Sequence, residues 1–260
     1  MRLRSVATEV LEQFDAEGIE SRVLKGLATG ELDYPNYLLR HTGDVDLAVR
    51  PERLDDAVRV LRGHGYGDRY ERFSPYLSYG CTLEAPNGVE VDLHARLSRR
   101  SPLGDRLFQD LGEPLSMLPG YALSAAHRLV HASGHFLISP PGARRLSGLF
   151  DITRMHACHD VDLEKARRFA ADLRIEALVG AGLWVEAMLS DRVDVIAQLD
   201  TWKAPDWLER NTRLVPERRL LLDHLGRYRE VPRGRRLRYL PAWLLPTRRQ
   251  RRLLIGSARG

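Results

Sequence analysis

The sequence predicts an α+β protein in which an α/β portion over the first hundred residues is followed by a helical region. Three observations carry this expectation. Asp44-Val45-Asp46-Leu47-Ala48-Val49 and Val89-Glu90-Val91-Asp92-Leu93-His94 read as strands, with segments of helical spacing before and between them. Asn87-Gly88 separates two strand candidates and is the strongest short signal for a hairpin. Beyond about Pro102 the pattern changes to segments with apolar residues three and four apart.

Taken in order, Val6, Val10, Leu11 and Phe14 give the first helix its apolar stripe. Arg22-Val23-Leu24-Lys25-Gly26 is a short strand-like run ending at a glycine, where Lys25-Gly26 opens a helix. A turn-rich connection through Asp33-Tyr34-Pro35-Asn36 leads to the strand at Asp44. Pro51 opens the next helix, striped by Leu54, Ala57, Val58 and Leu61 and closed by Gly63 or Gly65. The strands Tyr79 to Glu84 and Val89 to Leu97 flank the Asn-Gly turn. Helices are expected around Tyr121 to Phe136, Arg144 to Cys158, Leu163 to Leu173, Glu176 to Leu189 and Arg192 to Trp202. The expected divisions are 1–100, an α/β domain; 101–205, a helical subdomain packed on it; and 206–260, an Arg-rich segment.

With 260 residues, 43% of them hydrophobic, the chain can bury a proper core, which excludes the disordered, collagen and disulfide-scaffold classes. Cys81 and Cys158 are too few for a disulfide framework and lack a zinc-type spacing. Met1 to Gly18 is amphipathic and charged, without the apolar region of a signal peptide, and no run is long enough for a membrane span; a cytoplasmic protein without a transmembrane segment is expected. The net charge of +5 is uneven. Residues 208–260 hold 15 Arg against 4 acids, a net +11, and residues 1–207 hold 25 Lys plus Arg against 31 acids, a net −6.

The chemistry points to carboxylates. Asp44 and Asp46 stand two apart on one strand, so both side chains project from the same face. On the later strand Val89, Val91 and Leu93 face the core while Glu90, Asp92 and His94 share the other face. If the strands are neighbours, three or four carboxylates converge, an arrangement costly without a cation. Hard oxygen ligands of this kind suit Mg²⁺ together with substrate phosphates. Lys25-Gly26, at a strand-to-helix turn, has the geometry that receives a triphosphate, and Arg40 supplies a second phosphate contact.

In this order, Leu24-Lys25-Gly26, Tyr34-Pro35, Arg40, Gly43-Asp44-Val45-Asp46-Leu47, Gly65-Tyr66 and Val91-Asp92-Leu93-His94 resemble the uncharacterised nucleotidyltransferase family of the polymerase-β-like superfamily. The likeness continues through His131-Ala132-Ser133-Gly134-His135, Arg145-Leu146 and Phe150-Asp151-Ile152, and so covers most of residues 20–190. It implies a small mixed sheet with helices and a Mg²⁺- or Mn²⁺-dependent transfer of NMP from an NTP such as ATP. Asp44, Asp46 and Asp92 would be catalytic metal ligands. Gly26 matches the family's nucleotide-loop glycine, and Lys25, Arg40, His131 and His135 are read beside it as cofactor-binding residues. His94, also placed in that group, either orients a metal-ligand carboxylate or water or caps the sheet face as a neutral hydrogen-bonded residue. The superfamily's turn has glycine followed by Gly or Ser, whereas here Gly26 is followed by Leu27. The acceptor, a small molecule, peptide, protein or RNA, is not encoded in these motifs.

His127, His131 and His135 stand four apart and are expected to line one helix face. Packing against the α/β layer is one reading and a shared zinc another, although there is no HExxH. The resemblance picks out His131 and His135. Asp151, set among apolar residues, calls for a partner such as Arg145 or one of these histidines. The 208–260 segment combines Arg with Tyr228, Tyr239 and Trp243, a composition that suits RNA or another anionic partner as well as a solvated arm. Two other functions fit the same residues: a binding protein on a non-catalytic nucleotidyltransferase fold, and a metal-dependent phosphotransferase.

Overall fold

The computed structural model describes residues 2–68, 80–97, 105–138, 146–192 and 194. Of the expected helix over Arg192 to Trp202 only Arg192 and Asp194 are described, and the Arg-rich segment and Arg145 lie outside the described residues.

Helix α1 (Arg2–Ala16) buries Val6, Ala7, Val10, Leu11 and Phe14, the stripe its spacing predicts. Strand β1 (Ser21–Val23) leads through Leu24 into α2 (Lys25–Leu32). A 3-10 turn (Tyr37–Leu39) then precedes β2 (Asp44–Val49). Pro51 opens a 3-10 turn that runs into α3 (Leu54–Gly63), which buries Leu54, Ala57, Val58 and Leu61. The short β3 (Gly67–Asp68) is followed by β4 (Gly80–Glu84) and β5 (Glu90–His94). Between β4 and β5 the Asn-Gly turn forms as expected. Gly88 takes φ +84°, a region glycine enters without a Cβ clash, and the Asn87 side chain accepts from the Val89 N–H. β5 ends at His94, three residues before the expected limit, because its last partner on β2 is Ala48.

Two short strands, β6 (Glu113–Pro114) and β7 (Tyr121–Ala122), then complete a mixed sheet in the order β3-β4-β5-β2-β1-β7-β6. β2 runs antiparallel to β1 and parallel to β5, while β4 and β5 are antiparallel. The helices that follow are α4 (Ala125–Ile138), α5 (Leu146–Cys158), α6 (Leu163–Asp172) and α7 (Glu176–Leu189). Tyr121–Ala122 corrects the helix expected from Tyr121. Ala122 pairs with Val23 on the open edge of β1, and Glu113 accepts the Ala125 N–H at 2.7 Å, so the helix starts there.

Two apolar clusters sandwich the sheet. On one face Val23, Val45, Leu47, Val91 and Leu93 pack against α1 and α3. On the other, Leu24 and Ala48 join the apolar faces of α4 to α7. Side chains of this size contribute about 1.5–3 kcal/mol each on full burial, so the alternation of β2 and β5 is fixed by one apolar face. A buried ionic knot ties the layers. Asp33, fully buried at the end of α2, accepts from Arg128 of α4 at 2.8 and 3.2 Å and lies 2.8 Å from His159 Nε2. Arg128 also donates to Glu113 and to the Leu123 carbonyl, so no charge in the knot is left alone.

Candidate active site

Because Val45, Leu47 and Val49 fill the first cluster, Asp44, Asp46 and Ala48 face the helical half. The parallel register sets Asp44 opposite Glu90, Asp46 opposite Asp92 and Ala48 opposite His94. The strands are therefore neighbours, and the carboxylate faces read from the sequence merge into one.

The β1–β2 pairing brings Lys25 to the same place. The Leu24 N–H donates to the Asp46 carbonyl at 2.9 Å, and the chain then turns into α2 through Lys25 at φ 46°, in the left-handed region. Lys25 Nζ donates to Asp46 Oδ1 at 2.6 Å, and His94 Nε2 lies 2.7 Å from that same oxygen. Asp46 is 2% exposed. Burial alone would raise its pKa, but the hydrogen bond from His94 and the charge of Lys25 hold the carboxyl well below the usual range. Asp44, half-buried, is pushed the opposite way: burial and repulsion from Asp46 raise it against the pull of Lys25. On β4, Thr82 pairs with Asp92, and its hydroxyl donates to the Asp92 carboxylate.

A cavity of about 650 Å³ opens between this sheet face and helices α2, α4 and α5. Lys25, Gly26, Asp44, Asp46 and Asp92 line its sheet side, and His131, His135 and Asp151 its helical side. No side chain caps the N-terminus of α2. Gly26 there packs against Thr42 so closely that a Cβ would stand 2.6 Å from Thr42 Cγ2.

Arg40 also lines the cavity, where it grips Asp151 of α5 with two parallel bonds, Nε to Oδ1 at 2.7 Å and Nη2 to Oδ2 at 2.8 Å. Tyr34 donates to Asp151 Oδ1 at 2.9 Å. Asp151 thus finds partners in Arg40 and Tyr34 because α5 packs its N-terminal half beside the segment before β2, and the structure gives it no hydrogen bond to His131 or His135. Burial still leaves the Asp151 carboxyl raised, although the Arg40 bonds oppose it.

The three histidines of α4 do not share one environment. His131 and His135 face the cavity with rings 6.1 Å apart, edge to face. Burial lowers both imidazoles, His135 to about 4 and His131 well below its ordinary value, with Lys25 adding to the effect. His127 instead stacks on Phe169 of α6 at 3.6 Å. Each step of four residues turns a side chain only about 40° round the helix, and α6 packs against the earlier turns of α4, so His127 is drawn onto Phe169 rather than into the cavity.

Among the described residues, the donor atoms of Asp46, Asp92 and His94 lie within 4.8 Å of one another. That compact set of two carboxylates and an imidazole fits a divalent cation. Asp44 lines the cavity beside it but stands outside the set. The sequence reading did not include Thr82, Thr42 or the Asp33–Arg128 knot. Only Thr82 had a signal, since counting back across the Asn-Gly turn puts it opposite Asp92.

The sequence profile of a family described as uncharacterised nucleotidyltransferase matches residues 1–190. No curated protein matches the chain in sequence. Among solved structures, ANT(2'')-Ia in complex with adenylyl-2''-tobramycin is similar in fold, with a TM-score of 0.50 and 15% identity over 67% of this chain and 98% of that one. The solution structure of the antibiotic-resistance factor ANT(2'')-Ia has a TM-score of 0.47 and 15% identity over 72% of this chain and 94% of that one. An antigenic nucleotidyltransferase-like protein from Paracoccidioides brasiliensis has 0.45 and 14% over 80% and 97%.

Proposed function

Since the chain belongs to the uncharacterised nucleotidyltransferase family and is thereby a transferase, we propose that it moves an NMP from an NTP such as ATP to an acceptor hydroxyl or phosphate, using Mg²⁺ or Mn²⁺. The observation that carries this reading is the parallel register of β2 and β5, which sets Asp46 beside Asp92 in a cavity bordered by the uncapped start of α2.

The roles follow from position. Asp46 and Asp92, with Asp44 beside them, hold the divalent cation, which when bound supplies charge neutralisation at the α-phosphate. The backbone N–H groups at the start of α2, at Lys25 and Gly26, receive the β- and γ-phosphates, because a helix N-terminus favours anions. Arg40, held rigid by Asp151, adds a cation to the same wall. His131 and His135 border the space left for the acceptor, and as neutral imidazoles they can donate or accept without repelling the ammonium of Lys25. The acceptor oxygen attacks the α-phosphorus, its proton passes to Asp92, and the bond to the β-phosphate oxygen breaks to release pyrophosphate.

Incubation of the protein with NTP labelled at the α-phosphate, Mg²⁺ or Mn²⁺ and a panel of acceptors tests the reading. Label should appear on an acceptor, and Asp46→Asn should lower the rate by at least about a hundredfold, since even groups one step behind a metal ligand cost 10–100-fold. Label that transfers only from the γ-phosphate would make the protein a phosphotransferase. Transfer indifferent to Asp46→Asn would remove the site.

A further inference from the structure

We propose that the His94 imidazole is itself a ligand of the cation, so that this site selects a first-row transition ion such as Mn²⁺ over Mg²⁺. The inference rests on the nucleotidyltransferase reading and concerns which cation that activity uses.

Two observations carry it. First, His94 Nε2 and Asp46 Oδ1 are 2.7 Å apart and both are buried, His94 at 4% exposure and Asp46 at 2%. The contact is a hydrogen bond, and adjacent ligands on an octahedral ion with bonds of about 2.1–2.2 Å stand about 3 Å apart, so once Nε2 gives up its proton a shift of about 0.3 Å seats the two atoms as neighbouring ligands. Asp92 completes the set, with all three donors within 4.8 Å. Second, a cation already sits at the shared oxygen: Lys25 Nζ contacts Asp46 Oδ1 at 2.6 Å, on the same atom as His94. The ammonium marks where positive charge is favoured. On metal binding it gives up that oxygen and stays at the start of α2, next to the triphosphate.

The ligand type decides the selectivity. Mg²⁺ takes oxygen ligands in near-ideal octahedra and parts reluctantly with water. Replacing one oxygen by an imidazole nitrogen moves the balance toward transition ions, which bind nitrogen along the order Mn²⁺, Fe²⁺, Co²⁺. His94 lies two residues after Asp92 on β5, so both reach the cation from one strand face, and the register places them against Asp46 without rearranging the sheet.

The test is electron-spin resonance of Mn²⁺ bound to the full chain, with and without a non-hydrolysable NTP analogue. Wild-type protein should show nitrogen modulation on the bound Mn²⁺, changed in period when all histidines carry ¹⁵N. The modulation should vanish in His94→Gln and persist in His131→Gln. In competition, His94→Gln should lower the preference for Mn²⁺ over Mg²⁺ by about tenfold or more. Bound Mn²⁺ without nitrogen modulation, an unchanged preference in His94→Gln, or no bound Mn²⁺ would each overturn the proposal. The ¹⁵N experiment needs no substitution, so it stands even if His94→Gln folds poorly. Nucleotide transfer by wild-type protein in Mg²⁺ alone, with nitrogen-free bound Mn²⁺, would overturn the inference and leave the proposed function intact.

Discussion

Lys25 shows how the backbone of a single residue is shaped by the contact its side chain makes. A non-glycine residue at φ 46° costs on the order of 1 kcal/mol, and here the turn aims the ammonium at Asp46. Gly26, next along, has no such freedom to spare: a Cβ there would stand 2.6 and 2.9 Å from Thr42 Cγ2 and Cβ. Gly26→Ala should therefore lower stability by about 1–3 kcal/mol in urea unfolding, as overpacking does, and Thr42→Ala in the same chain should recover part of the loss. Unchanged stability in the single variant would mean that Thr42 yields freely. Asp44, Asp46 and Asp92 were legible because strand alternation is a local rule. The bond from Thr82 to Asp92 was legible in principle from the hairpin. The grip of Arg40 on Asp151 was not, because 111 residues separate the partners and no local pattern joins them.

At the scale of elements, the apolar periodicities located α1, α3 and the paired strands, while two features depended on neighbours. β7 is a strand because β1 offers it an open edge, although its residues also suit a helix. Helix α4 carries three histidines at one spacing, but α6 takes His127 and the cavity takes the other two. The same helix meets α7 at very close range. A Cβ on Gly182 would come within 2.5 Å of the Ser133 carbonyl oxygen and 3.0 Å of its carbon. Backbone cannot step aside as a side chain can, so Gly182→Ala should force the helices apart. A loss of about 1–3 kcal/mol, read as a lower melting temperature by calorimetry, is expected. An unshifted melting temperature would contradict that close approach.

For the whole molecule, acid should be destabilising for a reason rooted in α4. Burial lowers His127 to about 4, against the raising pull of Asp110, while Lys165 lowers it further. An unfolded imidazole titrates near 6.5, so between about 6.5 and 4 the unfolded chain binds a proton that the folded chain does not. The stabilisation is fully present above 6.5 and is lost as pH falls toward 4. His135, also lowered to about 4, and His131 act in the same sense. His127→Phe, which keeps a ring against Phe169, should flatten the fall in unfolding free energy by on the order of 1 kcal/mol per pH unit in that window. An identical pH profile for variant and wild type would show that His127 is not buried neutral. Across the described residues no helix is long and apolar enough to cross a membrane.

By itself the sequence determined the α+β order of elements and the side of each strand on which the carboxylates lie, since both follow from periods of two and 3.6 residues. It also carried the motifs of the nucleotidyltransferase family. Tertiary structure alone decided that β2 lies parallel to β5, that Lys25 and His94 meet on one oxygen of Asp46, and that α4 presents two of its histidines to the cavity. These are contacts between distant segments, set by which apolar faces are buried against each other.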